Sequence, residues 1–144
     1  MSDSEVDAED WLSFGDIPPE SFAAAIGPMS YRDAGNGIVQ VRMHPTGLML
    51  NFGGSIHGGA VMTFIDMAIF AGGSIVGRDP GHYVTLDCST HFIARTMAGE
   101  PLDAFVRLVG KTKGGIAFMA GHCEQGGQPM HNFTGTLKRI RERS

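Results

Sequence analysis

One segment constrains this chain more than any other. Residues 57–77 open on His57-Gly58-Gly59 and continue through Ala60, Val61, Met62, Phe64, Ile65, Met67, Ala68, Ile69, Phe70 and Ala71, with Asp66 the single carboxylate among them. Apolar residues fall on every side of a 3.6-residue period. The sequence therefore predicts a long helix buried all round, ending near Gly72-Gly73 or Gly77. Such a helix needs a cover, and the rest of the chain reads mainly as strand. Residues 29–44 predict a hairpin about Gly35-Asn36-Gly37. Residues 82–95 alternate, with Val84, Leu86, Cys88, Phe92 and Ala94 on one face and Thr85, Asp87, Ser89, His91 and Arg95 on the other. Residues 102–109, 116–124 and 130–140 give three more strands joined by short turns, which suit antiparallel pairing. Trp11 to Ile26, interrupted by Pro18-Pro19, reads as one or two short helical turns lying over something apolar. The economical architecture is α+β: one antiparallel β-sheet wrapped around one long central α-helix. Residues 27–144 form the single domain, and residues 1–26 a leader and short helical segment.

Bulk properties exclude several functions. A chain of 144 residues with net charge -4 and few clustered cations is a poor partner for nucleic acid. The longest apolar run, residues 60–76, is short for a membrane span and contains Asp66. The acidic first ten residues lack the pattern of a signal peptide. Cys88 and Cys123 have neither disulfide nor zinc spacing, which points to a reducing, cytoplasmic setting. The six histidines show no ligand spacing, so neither metal nor cofactor is expected.

The chemistry concentrates in Asn51-Phe52-Gly53-Gly54-Ser55-Ile56-His57-Gly58-Gly59, followed by Asp66. Glycines before a helix allow a ligand close to the backbone, and the first helical N–H groups lack intrahelical partners. Together they can stabilise a developing oxyanion. A phosphate loop does not fit, because Gly59 and Ala60 stand where its Lys and Ser/Thr belong. Asp66, a carboxylate among apolar residues, needs a partner. Singly, each feature has an ordinary structural explanation.

Their combined spacing resembles the hotdog-fold acyl-CoA thioesterases of the phenylacetate-degradation and 4-hydroxybenzoyl-CoA type: an Asn, His-Gly-Gly six residues on, and an Asp nine residues past the His. Asn51, His57, Gly58-Gly59 and Asp66 match at every spacing. Thr85-Leu86-Asp87 is similar to the family's Ser/Thr-x-Asp strand, Phe92 falls at an aromatic position, and Gly99-Glu100 resembles the usual Gly-Asp. The resemblance runs from about residue 27 to about residue 140. It departs at Arg95-Thr96, where the family carries a Pro.

The resemblance implies a hotdog fold and hydrolysis of an aryl- or medium/long-chain acyl-CoA to the acid and coenzyme A. It implies that the Gly58 N–H polarises the thioester carbonyl and that Asp66 is general base or nucleophile. Asn51 would position the water or carboxylate, His57 would orient the loop or thioester, and Thr85 would support the water. Gly59, Phe92 and Arg95 are the candidate substrate contacts, with Arg95 facing either the nucleotide phosphates or solvent. Independently of the family, Gly58 and Asp66 lie eight residues apart on one helix, ~12 Å at ~1.5 Å per residue. One carbonyl cannot touch both in one chain. A homodimer pairing two antiparallel helices meets this, and dimers can assemble further into a dimer of dimers. Strand alternation sets Thr85 opposite Val84 and Leu86. If those two face the helix, Thr85 reaches the site across an interface or not at all. The competing readings are a non-catalytic acyl-CoA binding or sensing module and an acyl-thioester hydratase.

Overall fold

The computed structural model describes residues 11–76 and 81–140. Its elements are β1 (Leu12–Ser13), β2 (Met29–Gly35), β3 (Ile38–Met43), α1 (Gly58–Val76), β4 (His82–Phe92), β5 (Leu102–Lys111), β6 (Ile116–Gln125) and β7 (Gln128–Ile140). Every strand pairing is antiparallel, in one sheet of order β1-β2-β3-β5-β6-β7-β4. The two hairpin turns rich in Gly form as expected. Asn36 and Gly37 both take positive φ, 55° and 75°, which a two-residue turn between twisted strands requires. Gly126 and Gly127 do the same at 58° and 77°.

The sheet wraps α1. Phe64, Ile65, Ala68 and Ile69 are 0% exposed and pack in one core with Val41, Met43, Leu102, Ala104, Val106 and Leu137. Gly72 permits a close approach: a Cβ there would lie 2.6 Å from Val106 Cγ1.

Three expectations change. The helix is not buried all round. Gly59, Met62 and Ser74 are exposed, and Thr63, Asp66, Met67 and Phe70 half-buried, so one stripe at i, i+4 spacing lies open. The hydrophobicity of α1 is thus divided between a core face and a face that this single chain does not cover. Second, the alternation of β4 is broken. Its pairing with β7 shifts between Thr85 and Asp87, leaving Leu86 as an extra residue in a bulge. Val84 and Leu86 therefore point away from the helix, 40% and 54% exposed, while Tyr83, Thr85, Cys88 and Thr90 are the less exposed positions. Third, the arm from Trp11 to Ile26 holds one of the expected short helical turns, a 3-10 turn at Phe22–Ala25, but it starts as a strand, with Leu12–Ser13 paired to β2. Pro18-Pro19 deprives the intervening stretch of two amide donors, which disfavours continuous helix.

The arm is tied down at its start. The Trp11 ring lies under two guanidinium groups, Arg32 at 4.7 Å and Arg42 at 4.6 Å from its centroid. Arg42 is itself held by Asp103 through two bonds of 2.7 and 2.9 Å. Phe14 then packs edge-on against Tyr31 at 5.2 Å, and Ile26 ends the arm buried in the core.

Candidate active site

The loop before α1 is closed by Asn51. Its Oδ1 accepts the N–H groups of Gly53 (2.9 Å) and Ser55 (3.1 Å), and its Nδ2 donates to Ser55 Oγ (3.1 Å). The backbone adds Asn51 N–H to Ser55 O at 2.8 Å, with Gly54 at φ 83° completing the turn. The Asn51 carbonyl oxygen is thus committed to shaping the loop, which leaves one Nδ2 hydrogen for a ligand. Two further bonds fix where the loop delivers the helix: His57 N–H to Met49 O (2.7 Å) and Ile56 N–H to Thr96 O (2.8 Å).

At the helix start, Gly59 N–H donates to His57 Nδ1 at 2.8 Å. That bond requires an unprotonated Nδ1, so in the neutral ring the proton sits on Nε2, available as a donor. Ala60 and Val61 N–H both reach His57 O, at 2.9 and 3.1 Å. Gly58 N–H has no acceptor among the described residues. Among these four amides, Gly58's is the one left for an external oxygen. A Cβ at Gly58 would stand 3.4 Å from the Phe92 ring, so the aromatic lies directly beside this position.

Asp66 lies on the open stripe of α1. Thr85 Oγ1 donates to Asp66 Oδ1 at 2.7 Å within the same chain. The bulge at Leu86 makes this possible by turning Thr85, rather than Val84 or Leu86, toward the helix. Cys88 lies on the same side of β4 and is half-buried. Burial first, then the nearby Asp66 charge, raise its thiol pKa above the ordinary value. Cys123 is buried and its pKa is also raised, chiefly by desolvation.

Arg95 donates from Nη2 to Gly53 O at 2.8 Å, which ties residues 93–97 to the glycine loop. The sequence reading missed the group beneath. His131 on β7 is buried, bonded through Nε2 to Thr96 Oγ1 at 2.7 Å, and lies edge-on to Phe92 at 5.1 Å. Its Nδ1 finds no partner among the described residues, and burial pushes its pKa down to about 4. The available signal was its inward position in a strand whose Phe133, Gly135 and Leu137 also face the core.

Two cavities flank the helix start. One of about 280 Å³ is lined by Asn51, Gly58, Phe92, Arg95, Thr96 and His131. The other, about 600 Å³, is lined by Phe22, Ile26, Leu48, Leu50, His57 and Thr63 among others. The structure therefore gathers Asn51, His57, Gly58, Gly59, Phe92 and Arg95 at one end of α1, and pairs Asp66 with Thr85 further along it. Among the described residues no three His, Cys, Asp or Glu side chains form a metal-binding group, and no helix is long and apolar enough to cross a membrane.

The profile of the thioesterase superfamily matches residues 53–114, from the glycine loop into the turn after β5. Comparison with curated protein sequences gave no match. Among solved structures, the E. coli PaaI protein from the phenylacetic acid degradation operon is 25% identical. The match covers 85% of this chain and 86% of that one, with a TM-score of 0.71. A hypothetical thioesterase from Streptococcus pneumoniae, solved with coenzyme A, is 20% identical over 81% of this chain and 91% of its own, TM-score 0.69. A Streptococcus mutans protein bound to acetyl-CoA is 22% identical over 79% and 90%, TM-score 0.65. The sheet wrapped on one helix is the hotdog fold, and the segment from the glycine loop through Asp66 is similar to the thioesterase superfamily.

Proposed function

We propose that the protein hydrolyses an aryl- or medium/long-chain acyl-CoA to the free acid and coenzyme A, at sites shared by two copies of the chain. The observation that carries this is an unoccupied amide at the start of α1 together with a held carboxylate on its open stripe. Gly58 N–H lacks an acceptor, and Asp66 is oriented by Thr85. They stand ~12 Å apart along the helix, too far for one carbonyl. A second copy laid antiparallel across the open stripe brings the Asp66 of one chain to the Gly58 of the other. The edge strand β4, with Val84 and Leu86 turned outward, supplies apolar surface for the same contact. The two relatives solved with coenzyme A or acetyl-CoA support the choice of thioester.

In this arrangement the thioester oxygen accepts the Gly58 N–H, and charge developing there is stabilised by that amide and the helix start. His57 Nε2–H is a second donor beside it. Asp66 either takes a proton from the attacking water or attacks the carbonyl itself through a mixed anhydride. Coenzyme A leaves as a thiolate and needs no dedicated acid. Asn51 holds the loop that presents the amide, and Thr85 holds the carboxylate.

A mixing experiment tests both chemistry and sharing. Free-thiol release is measured for Asp66→Ala, for Gly58→Pro, and for the two chains co-expressed. Proline at the first helical position removes the amide hydrogen and is tolerated there. Each variant alone loses turnover by ~10²-fold or more. The mixed protein recovers about a quarter of wild-type activity, because half of random dimers are mixed and each holds one intact site. A mixture as inactive as its components rules out sharing. Saturable acyl-CoA binding without thiol release by wild type points to a binding module, and water addition to an enoyl-CoA to a hydratase.

A further inference from the structure

The two cavities at the helix start differ in character, and a substrate with an apolar acyl group and a charged nucleotide must divide itself between them. The smaller one is edged by Asn51, Arg95, Thr96 and His131, whose Nδ1 has no partner among the described residues. The larger is walled by aliphatic and thioether side chains: Ile26, Leu48, Met49 and Leu50, with Phe22 over its rim. Phe22 is 75% exposed and Leu48 97%, a cost in water that an apolar occupant would relieve. Two of its polar groups are already engaged, which leaves the His57 Nε2–H as its free side-chain donor. Thr63 donates its hydroxyl hydrogen to Gly59 O at 2.8 Å, and His57 Nδ1 accepts from Gly59 N–H. A hydroxylated or charged acyl group would gain little compensation there. The cavity is also generous: about 600 Å³, where an apolar space of ~150 Å³ suffices for benzene.

We propose that this cavity is the acyl subsite, that it selects unsubstituted medium-chain aliphatic acyl groups, and that Phe22 and Ala25 of the N-terminal arm set the chain length accepted. The proposal deepens the thioesterase reading and rests on it for the position of the carbonyl. The Gly58 amide adjoins the cavity through His57 and Gly59, so a chain leaving the carbonyl enters it directly. The selecting wall is no part of the sheet. It hangs on the Trp11 anchor and the 3-10 turn at Phe22–Ala25, and both named residues are exposed. Their substitution therefore changes the cavity without opening the core.

The test uses the whole protein, with acyl-CoA substrates from acetyl to tetradecanoyl alongside phenylacetyl and 4-hydroxybenzoyl. Binding of matching S-alkyl-CoA thioethers, which cannot be hydrolysed, is measured in parallel. Wild type is expected to gain about fourfold in kcat/KM and in thioether affinity per added methylene until the cavity is full. Phe22→Ala flattens that slope over the distal carbons. Ala25→Phe fills the cavity and moves the optimum to shorter chains, by tenfold or more for dodecanoyl. Phe118→Ala, at an exposed aromatic on β6, leaves the slope unchanged. If neither arm variant alters the chain-length slope of thioether binding, the proposal is overturned, whatever the turnover. A preference for 4-hydroxybenzoyl over every aliphatic substrate also overturns it. If thioethers show the slope and its loss in the variants but no thioester is hydrolysed, the acyl subsite stands and the hydrolase reading falls.

Discussion

Replacing Thr85 by Val removes one hydroxyl and almost nothing else. The two side chains are nearly equal in volume, and Val is as good a strand former as Thr, so β4 should keep its place. What disappears is the bond from Thr85 Oγ1 to Asp66 Oδ1. At 2.7 Å it lies in the range of hydroxyl donors to an ionised carboxylate. Such bonds contribute ~1.5–3 kcal/mol net. Asp66 is only half-buried, so water can partly replace the donor and the lower part of that range applies. A loss of ~1.5–2 kcal/mol in the transition state corresponds to a fall of about 10–30-fold in turnover. The bond exists before substrate arrives and serves to aim the carboxylate, so the fall should appear in kcat with KM little changed. The assay is free-thiol release over a full substrate range for wild type, Thr85→Val and Thr85→Ser, with thermal melts as the control for folding. Thr85→Ser keeps the hydroxyl and should stay within about threefold of wild type. A fully active Thr85→Val would refute the reasoning. So would a Ser variant as impaired as the Val variant, since that would assign the effect to the methyl group's packing.

Three other outcomes follow from the geometry. Gly58→Ala keeps the free amide, and its Cβ would stand 3.4 Å from Phe92, an ordinary contact. Turnover should hold within about threefold, against the ~10²-fold loss for Gly58→Pro. His131, buried with its pKa pushed down to about 4, binds a proton more weakly folded than unfolded. Stability should therefore be full above the unfolded value of ~6.5 and decline as pH falls toward 4, by up to ~3 kcal/mol. Urea melts at stepped pH should show that slope, and His131→Gln should lose it. Gly72→Ala would set a Cβ 2.6 Å from Val106 Cγ1 and 3.1 Å from Met119 Cε, forcing helix and sheet apart. It should lower stability by ~1–3 kcal/mol while leaving the glycine loop untouched, read as a fall in melting temperature.

The turns and the central helix were legible in the sequence because each rests on local chemistry. Gly35-Asn36-Gly37 can hardly do anything but turn, and the run from Ala60 to Ala71 can hardly do anything but hide. What periodicity could not tell is from what it hides. Phe64 and Ile69 are covered by the chain's own sheet, whereas Met62 and Phe70 on the open stripe carry the same hydrophobicity with only partial cover in this chain. The spacing of Asn51, His57, Gly58 and Asp66 singled out the segment in which the structure places a free amide and a held carboxylate. It did not disclose that the Asn51 carbonyl oxygen is occupied in closing its own loop, which depends on backbone geometry around Gly53 to Ser55. His131 escaped because a lone histidine in an apolar strand has no local signature, and its partner Thr96 is 35 residues away.

The extra residue in β4 sets more than the local bend of the strand. An antiparallel strand offers its two faces by the parity of residue numbers, and a bulge is the place where parity changes. With the lower half of β4 fixed so that Cys88 and Thr90 face inward, an unbulged strand would continue with Leu86 and Val84 inward and Thr85 outward. That strand would bury more aliphatic surface, but Asp66 would lose its donor. The bulged strand does two things at once, turning Thr85 to the carboxylate and two aliphatic side chains to the outside edge. A single-residue offset thereby ties the state of the carboxylate to the stickiness of the edge. Neither can be altered by sliding the strand without altering the other.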